Sequence, residues 1–100
     1  MSGPRNSFDS VLLSTIKRAL VEVLGEKVAK ALRFYVDLET ALTNPDSFLI
    51  LISTLVSPER AVILQKRVLE DLHSRFGSVY KPRQAKFSVE IAELRSKAAH

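Results

Sequence analysis

The 100-residue sequence contains no cysteine and no tryptophan, and it has only three glycines, four prolines and one methionine. Without cysteine the chain has neither a disulfide framework nor a thiolate metal site. Residues that degrade at high temperature are scarce as well: asparagine, glutamine, methionine and cysteine together occur five times. Such scarcity is a feature of thermophile proteins, so we expect a thermophile protein.

Long apolar runs are also missing. The longest uninterrupted run extends from Phe48 to Ile52, whereas a membrane span needs about 20 apolar residues. The first apolar segment, Val11 to Leu24, is interrupted by three charged residues, which a signal-peptide core does not tolerate. We therefore expect a soluble, cytoplasmic protein that has no membrane association.

The composition of the chain indicates one folded domain. Hydrophobic residues make up 46% of the chain and charged residues 26%. A disordered chain of this size would have far fewer apolar residues, and 100 residues leave no room for two independent cores. The spacing of the apolar residues predicts helices and no strand. We expect an all-α fold, a compact bundle of four helices plus a short basic C-terminal helix or tail.

The first two helices follow from apolar spacing. The first is predicted to begin near Phe8, with Ser7 as its N-cap, and to end before Gly25, because glycine commonly follows a helix end. The second is predicted over Glu26–Glu39. Its apolar residues cover more than half of its circumference, so we expect it to pack centrally against several neighbours.

Helix-start signals define the next two helices. Asn44-Pro45-Asp46 and Ser57-Pro58-Glu59 each place a capping residue before proline and an acid. They predict a third helix that ends near Leu55 and a fourth that ends at Gly77. In the fourth helix Leu64, Val68 and Leu72 form the expected core stripe. Ser88 is the predicted cap of a short last helix.

The positive charge is concentrated near the C-terminus. Residues 1–80 carry ten Lys or Arg and nine Asp or Glu, a net charge of +1, whereas residues 81–100 carry five and two, a net charge of +3. This asymmetry divides the chain into a helical domain, 1–80, and a basic C-terminal segment, 81–100. We expect the segment to contact a protein or nucleic-acid partner and the domain to fold without it. The contact residues predicted there are Lys81, Arg83, Lys86, Arg95 and Lys97.

Exposed apolar residues suggest a second kind of contact. Phe34 and Tyr35 are adjacent, so one helix cannot point both at its core, and Ile63 lies off the core stripe of its helix. Phe34 and Ile63 are therefore possible members of an apolar interface, in a homodimer or with another protein. Three further apolar residues fall on one face of the last helix. They either dock on a partner or fill a groove in the protein's own core. These three are Phe87, Ile91 and Leu94.

Catalytic chemistry is not expected. His73 and His100 are the only histidines, and the motifs of zinc proteases, serine hydrolases, dinucleotide-binding folds and P-loops do not occur. We predict no catalytic residue, no metal ligand and no cofactor. A helix-turn-helix that places Arg60 and Lys66 on DNA is an alternative, but the acidic Glu59 and Glu70 on the same helix disfavour it.

Several short stretches resemble a known family. They are Leu24-Gly25-Glu26, Lys30 to Tyr35, Asn44 to Phe48, Ser57 to Ala61, Leu69 to Leu72 and Phe76-Gly77. Over about residues 10–77 the chain resembles the small helical output domains of archaeal proteins, the nitrosopumilus-output type. The resemblance implies an archaeal, cytoplasmic, all-α interaction or regulatory module without catalysis, and it supplies no functional residues.

The sequence therefore predicts a non-catalytic helical interaction or regulatory module, an accessory subunit of a larger assembly. The alternative is a nucleic-acid-binding protein that uses its basic C-terminal segment. Salt dependence separates the two, because release of counterions makes binding to nucleic acid weaken steeply as salt increases.

Overall fold

Helices account for most of the chain in a computed structural model, which describes residues 7–98. Their bounds are α1 (Ser7–Leu24), α2 (Glu26–Tyr35), α3 (Thr40–Thr43), α4 (Pro45–Leu55), α5 (Pro58–Arg75) and α6 (Phe87–Ala98). Between residues 7 and 98 there is no strand, so the predicted all-α class is confirmed. The described part has six helices rather than the predicted five. None of them is both long and apolar enough to cross a membrane.

The predicted starts of the third and fourth helices, now α4 and α5, and the predicted glycine stops are confirmed. Asn44 accepts a hydrogen bond from the Ser47 backbone N–H at 3.2 Å, and Ser57 accepts one from the Arg60 N–H at 3.1 Å. Gly25 and Gly77 follow α1 and α5 with φ angles of +89° and +76°, a backbone conformation that favours glycine. The Ser7 side chain, the predicted cap of α1, lies outside the described residues.

The predicted extent of the second helix is wrong. Helix α2 ends at Tyr35 instead of Glu39, because Val36 adopts an extended conformation. Asp37 Oδ1 then accepts a hydrogen bond from the Glu39 N–H at 2.9 Å, and α3 begins at the next residue. A short aspartate side chain that binds nearby backbone N–H groups stabilises a turn in competition with a helix. The break lets both Val36 and Leu38 reach the core.

The two 18-residue helices, α1 and α5, pack against each other and form the centre. Helix α4 packs on α5, α2 on α1, and α3 between α1 and α4. Helix α2 is therefore peripheral, contrary to the expected central position. Leu64, Val68 and Leu72 are buried as predicted. The polar Thr15 of α1 is also buried, and its hydroxyl donates to the Val11 carbonyl at 2.7 Å.

Helix α6 belongs to the same core. It packs against α4 and α5, and its apolar residues join the hydrophobic cluster formed by the preceding helices. Ser88 was predicted to cap this helix, but its side chain does not do so. Instead its backbone N–H and its hydroxyl both donate to Asp46 at the start of α4. The hydrophobic core is continuous across residue 80, where the sequence predicts a domain boundary.

Candidate functional site

Two of the five predicted contact residues of the C-terminal segment are engaged within the chain. Arg83 donates from Nε to Glu90 Oε1 at 3.3 Å and from a terminal nitrogen to Glu93. Arg95 forms an ion pair with Asp9 of α1, and its guanidinium lies 4.8 Å from the centre of the Phe8 ring. Arg95 thus ties α6 to α1, whereas Arg83 ties the preceding loop to α6. Both guanidinium groups are already engaged with carboxylates of the same chain.

The three lysines of that set are exposed, but they do not form one surface. Lys81 and Lys97 line a cleft of about 250 Å³ between α5, the loop after it and α6. Lys86 does not line this cleft and acts electrostatically on Asp46 at the start of α4. Among the described residues no ion pair involves any of the three lysines.

The cleft brings together side chains of both charges. Its ionisable lining residues are His73, Lys81, Arg83, Glu90, Glu93 and Lys97. Arg83 connects the two carboxylates and is itself half exposed. With the imidazole neutral, three cations and two anions give the cleft a net charge of +1.

Glu90 is the least accessible charged residue of this cleft, with only 4% of its surface exposed. Its Oε1 accepts the hydrogen bond from Arg83, but its buried Oε2 has no hydrogen-bond partner among the described residues. Buried polar atoms in folded proteins almost always have a partner. Glu90 is not among the predicted contact residues, and no sequence signal indicates its burial.

His73 closes one side of the cleft. Its Nδ1 lies 2.8 Å from Ser78 Oγ, and its ring lies 5.6 Å from the Tyr80 ring, measured between ring centres. Burial lowers the pKa of His73 below its ordinary value of 6.5, and the positive charge of Lys97 lowers it further. The imidazole is therefore neutral at neutral pH. His100 lies outside the described residues.

The predicted apolar interface divides into buried and exposed residues. The interpretation of Phe87, Ile91 and Leu94 as a docking face is wrong, because at most 2% of each is exposed and all three pack into the protein's own core. Phe34 and Ile63, by contrast, are 82% and 53% exposed. They lie in separate surface depressions, Phe34 beside Lys30 and Arg33 on α2, and Ile63 between α1 and α5.

An apolar groove between α2 and the end of α4 was not predicted. It has a volume of about 330 Å³, and we call it the α2/α4 groove. Its lining residues are Lys27, Val28, Ala31, Leu32, Tyr35, Leu55 and Val56. Only Leu32 among them is fully buried, and Tyr35 is 79% exposed. The excess of apolar residues on α2 is the sequence signal for this groove, but that excess was assigned to central packing instead.

The exposed surface of α2 is basic. Three of the four charged residues on this helix are cationic, and all four are exposed. They are Glu26, Lys27, Lys30 and Arg33. Between residues 7 and 98 none of these four forms an ion pair. A line of exposed apolar side chains is thus flanked by positive charge.

Within residues 7–98 no three or more His, Asp or Glu side chains are grouped so that they could hold a metal ion. Comparison of the chain with protein-family models, with curated proteins and with solved structures gives no match. The resemblance to helical output domains stays a prediction.

Proposed function

We propose that this protein is a non-catalytic interaction module that binds an amphipathic helix of a partner protein in the α2/α4 groove. The observation that carries the proposal is the exposure of Val28, Tyr35 and Leu55 along one apolar groove. Single exposed apolar residues are ordinary, whereas several that line one depression are typical of a protein-binding surface. A groove between two helices is a common receptor for the apolar face of a third helix.

Charge complementarity favours an acidic partner. Lys27 lies on the groove itself, and Lys30 and Arg33 lie on the same helix. Glutamate or aspartate residues that flank the apolar face of the bound helix would meet these cations. Complementary charges of this kind raise the association rate and exclude partners of the wrong sign.

A second copy of this chain fits the groove less well. Two α2 helices that meet across a symmetric interface would bring their like-charged residues Lys27, Lys30 and Arg33 together. Juxtaposed like charges oppose association. The preferred occupant is therefore a different protein, for which this chain serves as an accessory or regulatory subunit.

Nucleic acid is the alternative partner, and the C-terminal segment is less suited to it than its sequence suggests. Of its five cations, Arg83 and Arg95 already bind carboxylates of the same chain. The remaining lysines are separated, because Lys81 and Lys97 line the cleft, whereas Lys86 acts on Asp46 at the start of α4. A protein that neutralises few phosphates gains little affinity from the release of counterions.

The test uses two synthetic helical peptides of about 15 residues, each with leucines at the i, i+3, i+4 and i+7 positions. One peptide carries glutamates at the flanking positions and the other carries lysines. We expect fluorescence anisotropy to show that the glutamate peptide binds about tenfold more tightly or better, because complementary charge and apolar contact act together.

The double variant Val28→Ser, Leu55→Ser removes apolar surface from the groove and should weaken binding of the glutamate peptide about tenfold or more. Val62→Ser is the matched control, since Val62 is 65% exposed on α5 and does not line the groove. The proposal is refuted if the double variant and Val62→Ser lose the same affinity for the glutamate peptide. It is also refuted if the wild-type protein binds the two peptides with equal affinity. Concentration-dependent dimerisation that the double variant abolishes would assign the groove to a second copy instead.

A further inference from the structure

The outward face of α5 carries two exposed apolar residues between charges of opposite sign. Val62 is 65% exposed and Ile63 is 53% exposed. Glu59 lies about one helical turn before them and Lys66 about one turn after them, and both charged side chains are exposed. The four residues share the side of α5 that is opposite to its buried residues. Among residues 7–98 neither Glu59 nor Lys66 forms an ion pair.

Contacts with α1 fix the border of this face. A depression of about 730 Å³ lies between α1 and α5 beside it. Arg67 pairs with Glu22 of α1 at 2.7 Å, and Arg60 donates a hydrogen bond to the Val23 carbonyl at 3.0 Å. These two arginines are therefore engaged within the chain. The unpaired charges beside the apolar residues are the glutamate and the lysine that lie one turn away on either side.

We propose that this face of α5 binds the same face of a second copy of the chain. The two α5 helices would run antiparallel, with a two-fold axis between residues 62 and 63, so that Val62 and Ile63 of both copies meet at the axis. Glu59 and Lys66 lie equally far from this axis, about 5 Å along the helix. Glu59 of each copy is therefore level with Lys66 of the other copy, and the symmetric interface contains this ion pair twice.

Charge complementarity favours a second copy over other occupants. Nucleic acid would be repelled by Glu59 and Glu70, which are both exposed on this face. A partner whose charges are all of one sign would meet at least one like charge, and like charges oppose association. An antiparallel copy, in contrast, meets both Glu59 and Lys66 with charges of the opposite sign.

The same charges select one alignment of the two helices. If the second helix slides by about one turn, so that the axis passes between residues 64 and 65, Glu59 of each copy is level with Glu70 of the other. The repulsion of these like charges disfavours that alignment. It also moves Val62 and Ile63 away from the axis, so apolar contact and charge both favour the first alignment.

The proposed dimer is weak. Each copy contributes two apolar side chains and two exposed charges, and exposed ion pairs add little affinity. Small interfaces are typical of transient complexes. We expect a dissociation constant of about 100 µM, so the chain is monomeric at low micromolar concentration. The α2/α4 groove shares no lining residue with the depression beside this face, so the dimer and the proposed function are independent.

Sedimentation equilibrium of the full chain at low ionic strength tests the dimer between about 10 µM and about 1 mM. We expect the wild-type protein to change from monomer to dimer over this range. Glu59→Lys and Lys66→Glu each place like charges opposite one another and should each weaken the dimer about tenfold or more. Lys30→Glu is the matched control, because it changes the net charge as Lys66→Glu does but lies on α2.

A mixture of the two α5 charge variants tests the pairing itself. The two lysines of the Glu59→Lys protein would lie level with the two glutamates of the Lys66→Glu protein, so a mixed dimer about as tight as the wild-type dimer should form. Ile63→Ser removes apolar surface at the axis and should weaken the wild-type dimer. The groove variant Val28→Ser, Leu55→Ser should dimerise as the wild-type protein does, which separates this proposal from the proposed function.

The proposal is overturned if the wild-type protein stays monomeric at about 1 mM, where a dissociation constant of about 100 µM predicts mostly dimer. It also fails if the mixture forms no mixed dimer, or if Lys30→Glu weakens the dimer as much as Lys66→Glu. Loss of the dimer in the groove variant would assign dimerisation to the α2/α4 groove instead. If Glu59→Lys does not fold, the comparison of Lys66→Glu and Ile63→Ser with Lys30→Glu still decides the question.

Discussion

Asp46, in the first turn of α4, accepts two hydrogen bonds from Ser88 in the first turn of α6. The Ser88 backbone N–H lies 3.0 Å from Asp46 Oδ1, and the Ser88 hydroxyl lies 2.6 Å from Oδ2. One carboxylate thereby satisfies a free backbone donor at the start of α6 and joins two helices through residues that are 42 positions apart in sequence. This contact fixes the direction in which the last helix returns to the core.

Asp46→Asn should destabilise the fold and change its response to acid. The hydrogen bonds from Ser88 hold the pKa of Asp46 below its ordinary value of 3.8. A lowered carboxyl pKa contributes stability above pH 3.8 that is lost as pH falls through the folded-state pKa. We expect a loss of about 1 kcal/mol at pH 7, since Asp46 is partly exposed, and a smaller difference from wild type at pH 2. Urea unfolding at both pH values measures this; a difference that grows at low pH contradicts the assignment.

Leu72→Ala should cost about 2–5 kcal/mol, because Leu72 is completely buried and truncation leaves a cavity in the core. The control is Val62→Ala on the exposed face of the same helix, which should change stability by less than about 0.5 kcal/mol. Thermal or urea unfolding of both proteins provides the comparison. Equal effects in the two variants would mean that α5 faces the other way.

Truncation after Tyr80 should unfold the protein or make it aggregate. It removes Phe87, Ile91 and Leu94, and each buried side chain of this kind contributes about 1.5–3 kcal/mol. That sum is a large share of the stability of a small domain. Circular dichroism and gel filtration of the truncated chain give the result. A folded, monomeric fragment would restore the expectation that residues 1–80 form an independent domain.

Lys97→Ala should raise the pKa of His73. Burial is the main reason that this pKa is low, and the positive charge of Lys97 lowers it further. Removal of that charge makes the protonated imidazole less unfavourable, so the titration moves toward the ordinary value of 6.5. The C–H resonances of the His73 ring follow it by NMR, and Lys86→Ala is the control. An unchanged or lower pKa in Lys97→Ala would contradict the position of Lys97 beside the cleft.

The helix starts could be predicted from the sequence because their signals are local. Asn44 and Ser57 each need only the backbone N–H three residues later. The end of α2 could not be predicted in this way, since neither glycine nor proline stands between Tyr35 and Thr40. The break there depends on Val36 and Leu38 both reaching a core that other helices build.

The candidate sites were predicted less well, because charge and apolar content do not reveal which groups find partners in the same chain. Arg83 and Arg95 are basic in sequence, but carboxylates of α6 and α1 already bind them. The apolar pattern of α6 is compatible with docking on a partner and with packing into the protein's own core. Only the positions of α4 and α5 distinguish these alternatives. The α2/α4 groove likewise exists only because α2 lies at the periphery.

The most direct test of the proposed function is an NMR map of the glutamate peptide on the isotope-labelled full chain. The account predicts that the largest shifts fall at Val28, Ala31, Tyr35 and Leu55, and that they saturate with added peptide. Residues of the cleft, such as Lys81 and Lys97, should remain unshifted. Shifts centred on Lys81 and Lys97, or no saturable shift in the α2/α4 groove, would contradict the account.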